Sequence, residues 1–411
     1  MQPHVLYVGG EDHHFRIPFI LAMKERGFRV TATGSGDERP FHKAGIDFVP
    51  FAFSRFIAPV SDYRSIRALA RILQDVAPDI AQSYDTKPNL LLPLAARTIG
   101  FPGAIRTITG LAWVYSSRSP LALCVRPVYR ALHRLASRTT AATIFEMGAD
   151  QNFFEHHKMA GSKSIVIPAG GGGVDVEGFD AAFAKAKQPR SMRAQIGIGS
   201  NPVVITVTRL TRQKGIATLL EAAEIVHAEL PNVRFLLVGP RESEGPLAIS
   251  QAEIDTHAPY VIATGPRSDV PALLKLADVF AFPTEYREGV PRALLEAALA
   301  KLPIVTTDMP GCCDVIRNGG GRVVSSKSPR ALARAIVNAL TDRKASRAMA
   351  IKTDEVVRAI YGLRSIADHH SSLYANIADT LGLAKKRNQD QDDAHKARKH
   401  AIWGLCQKNS S

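Results

Sequence analysis

Few cysteines and no long apolar run occur in this chain of 411 residues. The four cysteines, Cys124, Cys312, Cys313 and Cys406, form no Cys-x-x-Cys pair, which argues against a disulfide framework or a zinc site. No stretch reaches the roughly eighteen uninterrupted apolar residues of a membrane-spanning helix. The first residues, MQPHVLYVGGEDHHF, lack the basic, apolar and small-residue order of a signal peptide. We therefore expect the chain to stay in the cytoplasm.

Charge is unbalanced, because 52 Lys and Arg stand against 38 Asp and Glu, giving a formal net charge of +14. Such an excess favours an anionic partner, which is nucleic acid, acidic lipid or a phosphorylated substrate. The sequence carries no recognition-helix, RNA-stacking or zinc signature. We therefore expect no nucleic-acid partner.

Strand and helix patterns alternate along the chain. HVLYVGG predicts a buried strand, FRIPFILAMKERG an amphipathic helix that stops at Gly27, and FRVTATG a second strand. The alternation halts at the glycines of IVIPAGGGGVDVEGF and restarts at about residue 200 with NPVVITVTRL. This order predicts an α/β protein of two Rossmann-like units joined by a glycine hinge, with the active site in the cleft between them.

The domain boundaries follow from these breaks in the pattern. We place an N-terminal unit at residues 1–165 and a C-terminal unit at residues 166–350, and we expect residues 351–382 to form helices that cross back to the N-terminal unit. From about Leu383 the composition becomes polar and charged with little periodicity, which predicts a disordered tail over residues 383–411.

The most informative stretch is PTEYREGVPRALLEAALAKLPIVTTD. A strand leads to a loop with Gly289 and Val290, and Pro291 stands where the first helical residue is expected. The amino end of that helix offers unpaired N–H groups and the positive end of its dipole to a diphosphate. Glu296 is placed to accept hydrogen bonds from a ribose, and Glu288 lies just before the helix. The alternative for either glutamate is that it is an ordinary surface residue at a capped helix, with no role in binding.

A second stretch, VTRLTRQKGIATLLEAA, ends a strand at Arg209 and continues to Lys214. Two cations at one strand end suit a leaving diphosphate, whose negative charge grows as its bond to the transferred group breaks. The alternative is a basic loop that does no more than face solvent.

The string EGVPRALLE, from Glu288 to Glu296, holds two glutamates separated by seven residues within TGPRSDVPALLKLADVFAFPTEYREGVPRALLEAALAKLPIVTTDMPGCCDVI. Here the chain resembles the retaining glycosyltransferases of family 4, which have the two-domain GT-B fold. The resemblance covers about residues 3 to 380. It implies that Glu288 lies beside the donor sugar at the reaction centre, that Glu296 binds the ribose, and that Arg209 and Lys214 contact the donor phosphates.

The N-terminal half narrows this resemblance. DTKPNLLLPLAARTIGFPGAIRTITGLAWVYSS is similar to a subgroup that acts on undecaprenyl-diphosphate-linked sugars in capsule and exopolysaccharide synthesis. That similarity implies a UDP-linked hexose or N-acetylhexosamine donor bound by the C-terminal unit, and a lipid-linked or glycan acceptor bound by the N-terminal unit. The chain departs from the subgroup at FEMGADQNFF, where Glu146 and Met147 occupy positions that more commonly carry Gln and Asn.

Polar residues near two predicted strand ends are candidates for substrate contacts. Asp85 and Lys87 follow a strand at the rim of the cleft, where Lys87 could pair with an acceptor diphosphate and Asp85 with a sugar hydroxyl. Capping of a helix is the alternative role for both. Gly10, in the first glycine loop, is predicted to bind the donor, and His13 and His14 either approach the donor or face solvent.

No Asp-x-Asp motif lies at a strand end in the predicted folded part. We therefore expect no metal ligand and no cofactor, with Arg209, Lys214 and a helix amino end in place of a cation. The family resemblance implies retention of the anomeric configuration, with the donor phosphate taking the acceptor proton.

Basic residues concentrate between residues 51 and 140, where twelve Arg and Lys stand against four Asp. Within this region, GLAWVYSSRSPLALCVRPVYRALHRLASR interleaves arginines with aromatic and aliphatic residues. Such a mixture suits an anionic lipid surface, so we predict peripheral binding to the inner face of the cytoplasmic membrane through residues 113–138. A core helix with an arginine-rich outer face is the alternative.

Two other functions fit the same sequence. One is a nucleotide-sugar epimerase on the same fold, and the other is a non-catalytic module that binds a nucleotide sugar or a partner enzyme.

Overall fold

The N-terminal unit is built on a parallel sheet. The computed structural model describes residues 3–54, 58–111, 114–115, 119–186, 189–241, 245, 247–287, 289–317 and 319–382. Within these residues the first sheet has seven strands in the order β3-β2-β1-β4-β5-β6-β7. The strands are β1 His4–Gly9, β2 Arg29–Gly34, β3 Asp47–Pro50, β4 Ile80–Ser83, β5 Ala104–Ile108, β6 Ala142–Phe145 and β7 Ser164–Val166.

Helices cover both faces of this sheet, which is why its central strands are buried throughout. Every residue of β1, HVLYVG, is buried. A short 3₁₀ helix, Glu11–Arg16, follows β1. The α-helices are α1 Ile17–Glu25, α2 Arg39–Lys43, α3 Pro59–Val76, α4 Pro88–Ile99, α5 Pro120–Ser137 and α6 Gly148–His156.

The second unit repeats the plan. Its described strands are β8 Val203–Val207, β9 Arg234–Val238, β10 Val261–Ala263, β11 Val279–Phe282, β12 Ile304–Thr307 and β13 Arg322–Val324, in the order β10-β9-β8-β11-β12-β13. The helices are α7 Val176–Lys185, α8 Pro189–Ile196, α9 Ile216–Glu229, α10 Gln251–Asp255, α11 Val270–Leu274, α12 Arg292–Leu299, α13 Pro310–Val315, α14 Pro329–Thr341 and α15 Arg343–Val356. Apolar clusters fill both faces of this sheet.

The last described helix, α16 Leu363–Thr380, follows a π-helical turn, Val357–Tyr361, and packs on α1. Arg26 pairs with Asp368 at 2.8 Å, and the buried Tyr374 hydroxyl donates a hydrogen bond to Gln82 on β4. The end of the described chain is therefore part of the first unit's core. Residues 383–411, the predicted tail, lie outside the described residues.

Both sheets reverse their strand order at one point, between β1 and β4 in the first and between β8 and β11 in the second. Open α/β sheets bind ligands at the carboxyl ends of the strands at such a switch point. The predicted pair of Rossmann-like units is confirmed. The boundary near residue 165 stays a prediction; it falls within β7.

Candidate active site

The switch point of the second sheet carries two of the predicted cations. Arg209 follows β8 and is exposed, whereas Lys214 ends the 3₁₀ helix Arg212–Lys214 and is only 8% exposed. The Lys214 ammonium lies 5.9 Å from the centre of the Phe282 ring, at the carboxyl end of β11. Both cations thus lie at the edge where an anionic ligand is expected.

The loop that carries Lys214 packs backbone to backbone against the loop after β11. Gly215 has a φ of +69°, and a Cβ atom at this position would overlap the Pro283 carbonyl oxygen. The Glu285 N–H donates to the Gln213 carbonyl at 2.9 Å, and Oε1 of the Glu285 side chain accepts from the Thr218 hydroxyl at 2.6 Å. These contacts fix the position of Lys214 relative to the loop that leads to α12.

Helix α12 begins at Arg292, and Pro291 precedes it with φ −72° and ψ 118°. The prediction that Pro291 is the first helical residue is therefore wrong by one position, because its ψ is extended. Gly289 and Val290 lie immediately before it. The Glu296 carboxylate accepts a hydrogen bond from Arg292 Nε at 3.0 Å, one turn earlier. Glu288 lies outside the described residues.

The switch point of the first sheet brings Gly10 and Asp85 into contact. Asp85 Oδ2 accepts from the Gly10 N–H at 3.1 Å, and its Oδ1 pairs with Arg16 at 3.1 Å. Burial alone would raise the pKa of Asp85, but Arg16 and the Gly10 amide outweigh it and hold that pKa below its usual value. Asp85 also has a φ of +66°, a left-handed conformation that is uncommon for a residue other than glycine.

The other candidates of the first unit are engaged by the protein itself. Lys87 pairs with Asp62 at 2.5 Å, and both side chains are largely buried. His13 is fully buried, so the expectation that it could face solvent is wrong. Burial lowers the pKa of His13 to about 3, which keeps its ring neutral. His14 is partly exposed.

The two units touch at their carboxyl edges. A Cβ atom on Gly289, after β11, would overlap the Thr109 carbonyl oxygen, after β5. A cavity of about 620 Å³ lies at this junction. It is lined by Leu111, Tyr115, Leu123, Arg126 and Phe153 of the first unit and by Glu285, Arg287 and Met309 of the second.

Comparison with known sequences identifies the family. Residues 189–356 match the glycosyl transferases group 1, and residues 4–146 match the glycosyl transferase 4-like family. Together these ranges take in about three quarters of the chain and follow its two sheets. The two matches, one in each unit, show that the protein is a glycosyltransferase.

Individual relatives agree with this assignment. The glycosyltransferase is 27% identical over 342 residues to the N,N'-diacetylbacillosaminyl-diphospho-undecaprenol alpha-1,3-N-acetylgalactosaminyltransferase of Campylobacter jejuni, covering 82% of this chain and 89% of the relative. It is 29% identical over 275 residues to the UDP-Gal:alpha-D-GlcNAc-diphosphoundecaprenol alpha-1,3-galactosyltransferase of Escherichia coli, covering 66% of this chain and 68% of the relative. The crystal structure of Anabaena HepE with UDP-glucose superimposes with a TM-score of 0.74 at 18% identity, covering 93% of this chain and all of HepE. The predicted GT-B fold is confirmed.

The arginines of α5, which the sequence analysis assigned together to a lipid surface, have different surroundings in the structure. Arg126 Nε donates to the Val114 carbonyl at 3.0 Å, and Arg130 Nε donates to the Tyr115 hydroxyl at 2.7 Å. Both guanidinium groups lie near the Tyr115 ring, at 5.0 and 5.8 Å from its centre. Arg126 and Arg130 therefore brace the fold. Arg134 is exposed, although its Nε donates a hydrogen bond to the His157 carbonyl at 2.9 Å.

Several apolar side chains of α5 are also exposed to solvent. The most exposed are Leu121, Leu123 and Val128, at 65, 48 and 54%. Trp113 and Arg118, also predicted to contact lipid, lie outside the described residues. No helix in the described part is long and apolar enough to cross a membrane.

Three residues that join the two units of the glycosyltransferase were not predicted as such from the sequence: Glu146, Asp150 and Arg287. Glu146 accepts a hydrogen bond from the Val290 N–H at 3.4 Å, and Asp150 pairs with Arg287 at 2.6 Å. The available signal was the departure of Glu146 from the subgroup pattern, which marked the position without indicating its partner. Among the described residues, no group of three or more His, Cys, Asp or Glu side chains could hold a metal ion.

Proposed function

We propose that this glycosyltransferase transfers a hexose or N-acetylhexosamine from a UDP sugar to a lipid-linked acceptor in bacterial surface-glycan synthesis. The observation that carries the proposal is the position of Lys214 and the Gly289–Val290 loop at the switch point of the second sheet, opposite the carboxyl edge of the first. The names of the Campylobacter and Escherichia relatives, which specify undecaprenyl-diphosphate acceptors, support the acceptor class. The HepE complexes with UDP and UDP-glucose support the donor class.

The proposed reaction retains the anomeric configuration and needs no metal ion. The acceptor hydroxyl oxygen bonds to C1 of the sugar while the bond from C1 to the β-phosphate oxygen breaks. The acceptor proton passes to a phosphate oxygen, and UDP leaves. Arg209, Lys214 and the amino end of α12 stabilise the charge that grows on the diphosphate. Glu288 lies beside the sugar in this proposal, and Glu296, oriented by Arg292, binds the ribose.

The cavity between the units is the proposed acceptor site. Its volume of about 620 Å³ lies in the range of small-molecule sites, and its lining combines Tyr115 and Phe153 with Arg126 and Arg287 against one carboxylate, Glu285. This combination suits a diphosphate attached to a sugar and an apolar chain. Asp85 and Lys87 remain proposed acceptor contacts, although each must share its charge with an ion-pair partner.

The helix α5 is the proposed membrane contact, on the cytoplasmic face of the bilayer. Leu123 is both half-exposed and part of the cavity lining, so a bilayer that receives Leu121 and Leu123 would lie at the cavity mouth. The exposed Arg134 and Arg138 on the same segment add attraction to anionic lipid of about 1 kcal/mol each. A lipid-linked acceptor could then reach the site without leaving the membrane.

A vesicle experiment tests this contact. We expect the protein to sediment with anionic vesicles at low salt and to be released as the ionic strength rises. The double variant Leu121→Ser with Leu123→Ser should bind the vesicles with about tenfold lower affinity, which corresponds to about 1.4 kcal/mol of lost apolar burial. The matched control is Ile225→Ser with Leu247→Ser, two exposed apolar residues of the second unit. Equal binding by the two double variants would refute the role of α5.

A transfer assay tests the activity itself. UDP and GDP sugars are each incubated with an undecaprenyl-diphosphate-linked acceptor, and the product linkage is determined by NMR. We expect transfer from a UDP sugar with retained configuration. Arg209→Ala and Lys214→Ala should each lower turnover at least about tenfold, because each removes charge stabilisation of the leaving diphosphate. Epimerisation of the donor without transfer to any acceptor would overturn the proposal in favour of an epimerase.

A further inference from the structure

Glu146 stands where three parts of the chain meet. It directly follows β6 of the first unit. Its Oε1 accepts a hydrogen bond from the Gly171 N–H at 3.0 Å, in the glycine loop that connects the units. Its Oε2 accepts from the Val290 N–H at 3.4 Å, in the loop before α12. One carboxylate therefore bridges the first sheet, the connecting loop and the proposed donor loop.

Glycines on two sides make this approach possible. A Cβ atom on Gly171 would lie 2.6 Å from Glu146 Oε1, and one on Gly289 would overlap Glu146 Oε2 and the Thr109 carbonyl oxygen. Because glycine has no Cβ, both backbones can come close to the carboxylate. A Gln side chain of the same size could accept with one oxygen only, leaving its NH₂ group against the other N–H.

A second carboxylate of the first unit holds the same loop three residues earlier. Asp150, in the first turn of α6, pairs through Oδ1 with Arg287 Nη2 at 2.6 Å. The Asp150 side chain is fully buried, and that of Arg287 is 30% exposed. A buried carboxylate is costly without its partner, so this ion pair ties Arg287 to the first unit.

We infer that Glu146 and Asp150 form an interdomain clasp, two positioning residues that hold Arg287, Gly289 and Val290 in the arrangement that receives the donor. The inference rests on the proposed donor site, because this loop leads directly into α12. Since residues of the first unit hold the donor loop of the second, closing the cleft and completing the donor site become one event. The clasp acts on turnover through the loop.

The test measures kcat and the donor KM of the full chain with a UDP sugar and a lipid-linked acceptor. The variants are Glu146→Ala, Asp150→Ala and the double variant. The control is Asp368→Ala, which removes the carboxylate of the Arg26–Asp368 ion pair. This pair links the end of α1 to α16. Urea unfolding of each variant reports the fraction folded under assay conditions.

We expect each single variant to lower kcat at saturating donor about tenfold or more, because a displacement of about 1 Å can cost 10²-fold in rate. The double variant should fall little further than the worse single variant, since losing either contact releases one shared loop. Asp368→Ala should keep the wild-type kcat. A purely structural role would instead give losses that follow the fraction folded and multiply in the double variant.

The outcomes separate this inference from the proposed function. If the wild-type protein transfers sugar and both single variants keep its kcat, the clasp is refuted and the proposed function stands. If the wild-type protein neither binds UDP in calorimetry nor transfers sugar from any UDP donor, the proposed function fails first. Lowered kcat with unchanged UDP affinity in the single variants supports the clasp, because the nucleotide would still be held by the second unit.

Discussion

Replacing Gly215 by alanine should lower both the stability of the protein and its kcat, and the fall in kcat tests whether the position of the donor loop limits the reaction. Gly215 has φ +69° and ψ 21°, a left-handed conformation in which a Cβ costs roughly 1–2 kcal/mol. A Cβ at this position would also overlap the Pro283 carbonyl oxygen. Real Cβ atoms stay beyond 3.0 Å from such a neighbour, so the loop must retreat by about 1 Å. Lys214 is the adjacent residue and would move with it.

Gly100 provides a closely matched control. It ends α4 with φ +69° and ψ 25°, and a Cβ there would meet nothing within 4 Å. Gly100→Ala should therefore lose roughly 1–2 kcal/mol of unfolding free energy and keep its kcat. Gly215→Ala should show that loss together with a fall in kcat of about 10²-fold, the rate cost of a displacement of about 1 Å.

The assay combines urea unfolding with steady-state sugar transfer at saturating donor and acceptor, which gives kcat. A single-turnover measurement then separates bond formation from product release. Equal stability loss in the two variants with equal kcat would show that the position of Lys214 relative to β11 does not limit the reaction. A kcat deficit in Gly100→Ala of the same size would point to a general effect of strain and would also refute the reasoning.

Three further changes probe the site. Glu296→Gln should weaken donor binding in calorimetry more than it lowers kcat, because the amide accepts ribose hydrogen bonds less strongly; unchanged affinity would remove its ribose role. Activity should persist in EDTA, and a loss restored by manganese or magnesium would contradict a metal-independent reaction. Burial raises the pKa of Glu146 from 4.5 to about 7, although the hydrogen bonds from the Gly171 and Val290 N–H groups lower it. Because the pKa is raised in the folded state, the contribution of Glu146 to the unfolding free energy is fully present below pH 4.5 and is lost as the pH rises to 7. In urea unfolding, the wild type should therefore lose stability relative to Glu146→Gln between pH 4.5 and 7, and the difference should stay constant above pH 7.

Local sequence determined the two sheets, because parallel strands buried on both faces are largely apolar and the helices that cover them are amphipathic. HVLYVG and its counterpart VVITV were recognisable as strands on that ground alone. The position of Arg209 and Lys214 after β8 was equally readable, since strand ends mark the ligand-binding edge of such sheets. The exact start of α12 was not, because the conformation of Pro291 depends on the loop before it.

The pairing of side chains distant in sequence was decided only by the tertiary structure. Glu146 and Val290 are 144 residues apart, and Asp150 and Arg287 are 137 apart. No local period or motif links such residues, and their meeting depends on how two independently formed sheets face each other. The same holds for Arg126 and Arg130, whose helical pattern suggested a surface but whose partners come from the segment before the helix. Periodicity determined what each element buries, whereas the docking of the elements decided which charges remain for a ligand.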